Sequence, residues 1–163
     1  MTMGRISEGA ISNTKHLNDL LKDIYETEMR ISDILSKMEF PPGKIQELKD
    51  ARLDVFFGHL EFAFQCKLFG DSNSRRAYQI ICRRYGLFGM EKETLQAVGE
   101  RFSISRERVR QLEQKAIRRM RAKYDPMAIL ITLSACKAVG IDPLEILNAN
   151  ADDTEDAEEG GSQ

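Results

Sequence analysis

The chain has 163 residues, of which 42% are hydrophobic and 31% are charged, and its net charge is −2. These values are ordinary for a globular protein, and no apolar run approaches the roughly 20 residues of a membrane-spanning helix. The first residues lack the apolar centre of a signal peptide, and the three cysteines stand singly without a Cys-x-x-Cys pair. We therefore expect a cytoplasmic chain with reduced core thiols and neither a structural metal nor disulfides.

The first part of the chain, residues 1–70, predicts an N-terminal helical hairpin. Residues 1–13 are small and polar and predict a loose lead-in, after which residues 14–40 have a helical pattern. Apolar residues repeat there every seven positions at Leu17, Ile24, Ile31 and Met38. This repeat suits either a coiled-coil seam between two copies of the chain or packing within one chain, and we favour the second because three heptads are few.

A proline-proline-glycine stop at residues 41–43 ends the first arm of the hairpin. A second helical pattern follows from Lys44. Residues 60–68 also alternate at the period of a strand, but no neighbouring run offers a partner strand, which favours a helix. The turn-rich stretch at residues 70–74 is the best domain boundary in the chain.

Residues 74–123 predict a helix followed by a helix-turn-helix. The first helix runs to Tyr85, and the second has apolar residues at helical spacing. Ser105 is a candidate N-cap for the third helix, and Gly99 lies where two crossing helices need a residue without bulk. The third helix of this stretch is the second helix of the helix-turn-helix motif, and in such a motif that helix can enter the major groove of DNA.

The outward face of this third helix carries groups that suit DNA. Arg106 suits guanine, Gln111 suits adenine and Glu107 can accept from cytosine. Basic side chains suited to phosphate surround them at positions 108, 110, 115, 118, 119 and 121. The alternative is a solvated basic helix face that binds nothing. The N-cap, Gly99, the apolar stripe and the polar groups at the start of the helix together disfavour this alternative.

The end of the chain predicts an extra helix and an acidic tail. Residues 124–149 predict a helical extension, in which Asp125 and Pro126 begin a helix. Its run from Met127 to Val139 is apolar nearly all round and should be buried against the N-terminal module or a partner. Residues 150–163 are acidic without apolar anchors and predict disorder. Residues 142–163 carry eight acids and no base, whereas residues 75–123 carry fourteen bases and five acids. The acidic net charge therefore does not exclude DNA binding.

At this point the sequence resembles a known family. The run Ser105-Arg-Glu-Arg-Val-Arg-Gln-Leu-Glu113, with Ile80-Ile-Cys-Arg-Arg-Tyr-Gly-Leu87 upstream, looks like region four of the bacterial primary-type sigma factors. The resemblance covers about residues 74–122. It implies an all-α domain that reads upstream promoter DNA and grips the beta flap of RNA polymerase.

The resemblance also implies roles for individual residues. Matched position by position, the base readers would be Arg106, Glu107 and Gln111. The DNA backbone contacts would be Thr94, Arg108, Arg110, Lys115 and Arg118. The flap contacts would be Tyr85, Leu87 and Phe88. Two of these positions, Arg110 and Lys115, match those that activators touch in the family.

We therefore predict a truncated sigma-like transcription factor that directs or redirects initiation and needs no cofactor. Residues 1–70 lack tryptophan and are net acidic, so we do not expect independent promoter opening. The chain would either supply half of a split sigma factor, beside a second sigma-like subunit or an activator, or redirect a polymerase that already carries a sigma factor. A phage or mobile element in a bacterial cell would suit such a chain. The alternatives are a stand-alone repressor or activator that dimerises through residues 14–40, and a polymerase-binding decoy that displaces the resident sigma factor. The sequence shows no phosphate loop or nucleophile–base spacing, which disfavours an enzyme.

Overall fold

The computed structural model describes residues 6–146 and residue 148, and its regular structure is all helical, as the sequence predicts. In chain order the helices are α1 (Glu8–Tyr25), α2 (Ile31–Lys37), α3 (Pro42–Glu47), α4 (Leu53–Ala63), α5 (Arg75–Tyr85), α6 (Leu95–Phe102), α7 (Arg106–Met120) and α8 (Pro126–Val139). Two π-helical turns, Leu48–Arg52 and Phe64–Leu68, precede and extend α4, and a 3₁₀ turn spans Ser72–Ser74. Within the described ranges no helix is long and apolar enough to cross a membrane. The predicted acidic tail, residues 150–163, lies outside them.

α1 begins at Glu8, so the prediction of a loose lead-in through residue 13 is wrong. The hydroxyl of Ser7 accepts a hydrogen bond from the backbone N–H of Ala10 at 3.0 Å, which caps the helix. The backbone N–H and the hydroxyl of Ser7 both donate to the carboxylate of Asp54 at the start of α4. The first turn of α1 is therefore held by a residue nearly fifty positions later.

The prediction of one helix over residues 14–40 is also wrong, because the chain turns after α1. Glu26 adopts a left-handed conformation with a φ of 58°. The guanidinium of Arg121 donates to the carbonyl oxygens of Ile24 at 2.7 Å and Asp23 at 2.9 Å. The last carbonyls of a helix have no partner within it, so a side chain from the far end of the helix-turn-helix stabilises the end of α1.

The heptad positions of the N-terminal module pack inside the chain. Leu17, Ile24 and Ile31 are buried, and Met38 is half-buried. α1 contacts α4, α5 and α7, while α2 contacts α8. The interpretation of this repeat as intramolecular packing therefore describes the structure, and these positions form no exposed seam.

The stretch at residues 60–68 is helical, which confirms the preference for a helix over a strand. Leu60, Phe64 and Leu68 recur every four residues and all lie in the core. Phe62 and Cys66, between them, are exposed. The alternation in the sequence therefore arises because the exposed face of this helix also carries apolar residues, Phe62 and Cys66, between the buried ones.

α8 is buried against the N-terminal module, which decides between the two locations that the sequence left open. It packs across α4, α2 and the first π-helical turn. The side chain of Asp125 caps its start, and Gly140 ends it with a φ of 76°. At its C-terminal end, Arg52 donates to the carbonyl of Ala138 at 2.8 Å. α8 is thus an internal helix of the fold rather than an appendage.

Two hydrophobic cores result from this arrangement. The larger core draws on α1 to α5, α7 and α8, and it includes Ala116 and Met120 from α7. α6 contributes Val98 to a smaller core with Ile80 and Val109. The larger core receives side chains from both sides of residues 70–74. The domain boundary at these residues therefore stays a prediction.

Candidate nucleic-acid interface

The helix-turn-helix consists of α6 and α7, and both helices have side-chain caps. The hydroxyl of Thr94 accepts from the N–H of Ala97 at 3.1 Å, and that of Ser105 accepts from the N–H of Arg108 at 3.0 Å. Ser103 occupies the turn in a left-handed conformation. These caps satisfy N–H groups that would otherwise lack partners, so the sequence fixes where α7 starts.

Gly99 lies where a side chain has no space. A Cβ atom at this position would be 2.8 Å from the carbonyl oxygen of Ile104. The N–H of Ile104 donates to the carbonyl of Gly99 at 3.0 Å. The close approach is thus to the backbone of the turn rather than to the side chains of α7.

The three predicted base readers are all exposed at the start of α7. The guanidinium of Arg106 makes no hydrogen bond or ion pair within the described part of the chain. The carboxylate of Glu107 pairs with Arg110 at 2.5 Å, and this hydrogen bond lowers the pKa of Glu107. The side-chain oxygen of Gln111 accepts from Arg108 at 3.4 Å. Neighbouring side chains therefore orient two of the three readers before any ligand binds.

The predicted backbone contacts lie on different sides of the motif. Arg108 and Lys115 share one flank of α7, beside the start of α5. Arg118 lies on another side of α7, near Asp23 of α1. Arg110 and Thr94 are exposed, and Thr94 also serves as the cap of α6.

Two arginines that the resemblance did not single out lie beside this flank. Arg75 and Arg76, in the first turn of α5, line a cavity together with Arg108 and Lys115. The guanidinium of Arg76 lies 6.0 Å from the ring centroid of Phe102. Two basic side chains in the first turn of a helix interact unfavourably with the helix dipole. This unfavourable placement was the signal in the sequence that could have identified the two arginines as functional candidates.

Two other basic residues, Arg119 and Arg121, were predicted to suit phosphate but bind groups within the chain instead. Arg119 donates to the carbonyl of Leu68 and to the carboxylate of Asp71, both at 3.2 Å, and to the hydroxyl of Ser74. Its guanidinium lies 5.7 Å from the ring centroid of Phe69. Arg121, as described above, stabilises the end of α1. Both arginines fasten α7 to the N-terminal module.

A cluster of ion pairs braces α5 against α6 and α7. The carboxylate of Glu93 pairs with Arg101 at 2.5 Å and with Arg83 at 3.4 Å. Arg84 donates to the carbonyl of Glu93 at 2.8 Å and pairs with Glu113 at 3.0 Å. The hydrogen bond from Arg101 is the main cause that lowers the pKa of Glu93.

This brace predicts an acid-sensitive contribution to stability. The lowered pKa of Glu93 means that its contribution is present above the unfolded value of 4.5 and is lost as the pH falls through the folded value. We expect Glu93→Gln to lower the free energy of unfolding at neutral pH by roughly 1 kcal/mol or less. The difference from the parent protein should shrink below about pH 4. Urea unfolding at several pH values measures it. The control is Glu91→Gln, at an exposed carboxylate that makes no ion pair within the described part of the chain, and a pH-independent difference for Glu93→Gln would contradict the assignment.

Two of the three predicted flap contacts, Tyr85 and Phe88, contact the N-terminal module, and the third is buried. Leu87 is fully buried. The N–H of Phe88 donates to Asn13 of α1 at 2.8 Å, and its ring packs edge-on against Phe64. The hydroxyl of Tyr85 donates to Asp23 of α1, and this burial and hydrogen bond raise the pKa of Tyr85. Two of the residues that the resemblance assigns to a partner, Tyr85 and Phe88, thus contact α1, and Phe88 also contacts the π-helical turn that extends α4.

Comparisons with known proteins match this part of the chain. The family model of sigma-70 region 4 matches residues 74–122. The RNA polymerase sigma factor SigA of Nostoc sp. (strain PCC 7120) is 43% identical over 51 residues, which are 31% of this chain and 13% of that protein. SigA of Microcystis aeruginosa and SigA of Synechocystis sp. are each 41% identical over 51 residues, or 31% of this chain and 12% of theirs.

The chain therefore spans about an eighth of the length of these curated relatives. No solved structure matches it significantly. The matched residues coincide with α5, α6 and α7, whose caps, close turn and exposed basic face were described above. Residues 74–122 are thus similar to sigma-70 region 4, and α6 and α7 within them form a helix-turn-helix.

Proposed function

We propose that the chain is a sequence-specific transcription factor that reads upstream promoter DNA and joins RNA polymerase to direct or redirect initiation. The observation that carries this proposal is the exposed trio Arg106, Glu107 and Gln111 at the start of α7, within the segment that matches sigma region 4. This function places the chain in the bacterial cytoplasm, where promoter DNA and polymerase meet.

The chemistry of α7 suits the major groove. Arg106 offers two donors to the acceptors of guanine, Gln111 can bond adenine at two points, and Glu107 can accept from cytosine. Arg108 and Lys115 on one flank, with Arg110, Arg118 and Thr94, would hold the phosphate backbone. The pairing of Glu107 with Arg110 keeps the carboxylate charged and in place before DNA arrives.

A polymerase contact through the beta flap would need a rearrangement. Leu87 is buried and both Tyr85 and Phe88 contact α1, so a flap that used these residues would have to displace the N-terminal module. A decoy that displaces the resident sigma factor faces the same obstacle and has no need of base readers. The exposed readers therefore favour DNA recognition over a pure decoy.

The N-terminal module offers little for promoter melting on its own. Phe40, Phe56, Phe57, Phe64 and Phe69 are buried, whereas Phe62 is exposed. A second sigma-like subunit would then supply the aromatic residues that open DNA. The stand-alone dimer through residues 14–40 is the weaker alternative, because its heptad residues lie in the core.

The experiment that tests the proposal separates contacts to DNA bases from contacts to DNA phosphates. We expect Arg106→Ala to cost about 1–3 kcal/mol on the preferred promoter and little on scrambled DNA. We expect Lys115→Ala to weaken binding to both duplexes and to flatten the plot of log affinity against log salt by roughly 0.9. Salt titrations on promoter and scrambled duplexes measure both effects.

The matched control is Lys123→Ala, which removes one charge just beyond α7. If Arg106→Ala weakens binding to both duplexes equally, α7 does not enter the groove as proposed. A promoter preference that survives in all three variants would likewise reject Arg106 as a base reader.

A further inference from the structure

A basic cavity lies beside α7, on the side away from the N-terminal module's contact with Arg121. It has a volume of about 570 Å³ and is enclosed by the 3₁₀ turn, the start of α5 and one flank of α7. The basic residues that line it are Arg75, Arg76, Arg108, Lys115 and Arg119, and none of the described lining residues is acidic. Its size falls within the range of small-molecule pockets.

Four of the five cations that line this cavity lack counter-ions. Arg75, Arg76, Arg108 and Lys115 form no ion pair within the described part of the chain, whereas the fifth cation, Arg119, pairs with Asp71. Arg75 and Arg76 also stand at the positive end of the α5 dipole, which is unfavourable for a cation. Like charges gathered without compensation destabilise a fold, and such local conflicts are expected at functional sites.

The lining specifies the chemistry of a ligand. The three guanidinium groups and the ammonium group that lack counter-ions match the oxygens of phosphate, which arginine can bind at two points. The half-buried side chains of Phe102 and Leu112 add an apolar wall that phosphate alone would not use. An aromatic base attached to a chain of phosphates satisfies both parts.

We infer that this cavity binds a free nucleoside polyphosphate. The site is concave, with walls on three sides, whereas a duplex backbone is convex and would contact its rim. A bound nucleotide would engage Arg108 and Lys115, which the proposed function assigns to the DNA backbone. The nucleotide then competes with promoter DNA, and this consequence rests on the proposed function.

The first test uses the full chain without DNA. ATP and inorganic triphosphate should bind and raise the melting temperature at constant ionic strength, and adenosine should not. ATP should bind more tightly than triphosphate because of the apolar wall. Arg76→Glu should weaken ATP binding about tenfold or more, as expected for a lost charge-assisted contact. Arg75→Gln, a milder change, should weaken it less and raise the melting temperature of the ligand-free protein by relieving repulsion.

The matched control is Lys123→Glu, which makes the same charge change outside the cavity and should leave ATP binding unchanged. Equal effects of Lys123→Glu and Arg76→Glu would overturn the inference, and so would ATP that binds no better than sulfate. Competition with a labelled promoter duplex forms the second arm. If Arg76→Glu weakens only duplex binding, the cavity takes the DNA backbone alone, and the inference fails while the proposed function stands. If ATP binds at Arg76 but no duplex sequence is preferred, the proposed function fails and the nucleotide site stands.

Discussion

Gly99→Leu is expected to abolish promoter binding and to unfold the helix-turn-helix locally. A Cβ atom at this position would lie 2.8 Å from the carbonyl oxygen of Ile104, and that oxygen belongs to the backbone of the turn. A flexible side chain could move aside, but here the turn itself must shift. Overpacking costs about 1–3 kcal/mol, and we expect the upper end because α7 would be displaced. Thermal unfolding and promoter affinity measure the two effects.

Gly58 provides the matched control within α4. A Cβ atom there would meet nothing within 4 Å, so Gly58→Leu should stabilise the helix slightly by raising its propensity. Unchanged melting temperature and promoter affinity for Gly99→Leu would show that the turn tolerates bulk. Equal losses in both variants would show that a general effect of leucine, not the turn, is responsible.

Ile131→Asp is expected to unfold the larger core. Ile131 is fully buried in α8, which packs across α4 and α2. A carboxylate at this position would lose its hydration without gaining a partner, a cost of several kcal/mol. Because α5 and α7 also place residues in that core, the loss should reach the helix-turn-helix. The helical signal in circular dichroism and the promoter affinity should therefore be lost together.

The control for this variant is Lys137→Asp, at an exposed position of the same helix. Surface substitutions usually change stability by about 0.5 kcal/mol or less, so this protein should remain folded. An Ile131→Asp protein that still binds the promoter with parental affinity would show that the helix-turn-helix does not depend on α8.

The helix-turn-helix could be predicted from the sequence because its signals are local. The caps Thr94 and Ser105, the stripe that contains Val109 and the small residue Gly99 all lie within about 28 residues of one another. Nothing distant is needed to set where α7 begins. The exposure of the base readers followed from the same periodicity.

The N-terminal module was harder to predict because distant residues determine its helix ends. The end of α1 depends on Arg121 and its start on Asp54, and no spacing within residues 1–40 indicates either contact. The contact of Phe88 with Asn13 of α1 could not be predicted for the same reason. The inward direction of Arg119 was missed because a basic residue on a basic helix is typical of a phosphate contact as well.

The contacts that α1 makes beyond the end of α5 and at the start of α8 have a consequence for the order of folding. They join residues 70, 75 and 100 positions apart, namely His16 with Gly86, Asn13 with Phe88 and Tyr25 with Asp125. Contacts so distant in sequence form slowly, because closing a long loop costs entropy before it is rewarded. During synthesis the first helix emerges long before its partners exist. The N-terminal module, although made first, must therefore be the last part of the molecule to acquire its final packing, and until α8 is complete its apolar face is available to chaperones or to aggregation.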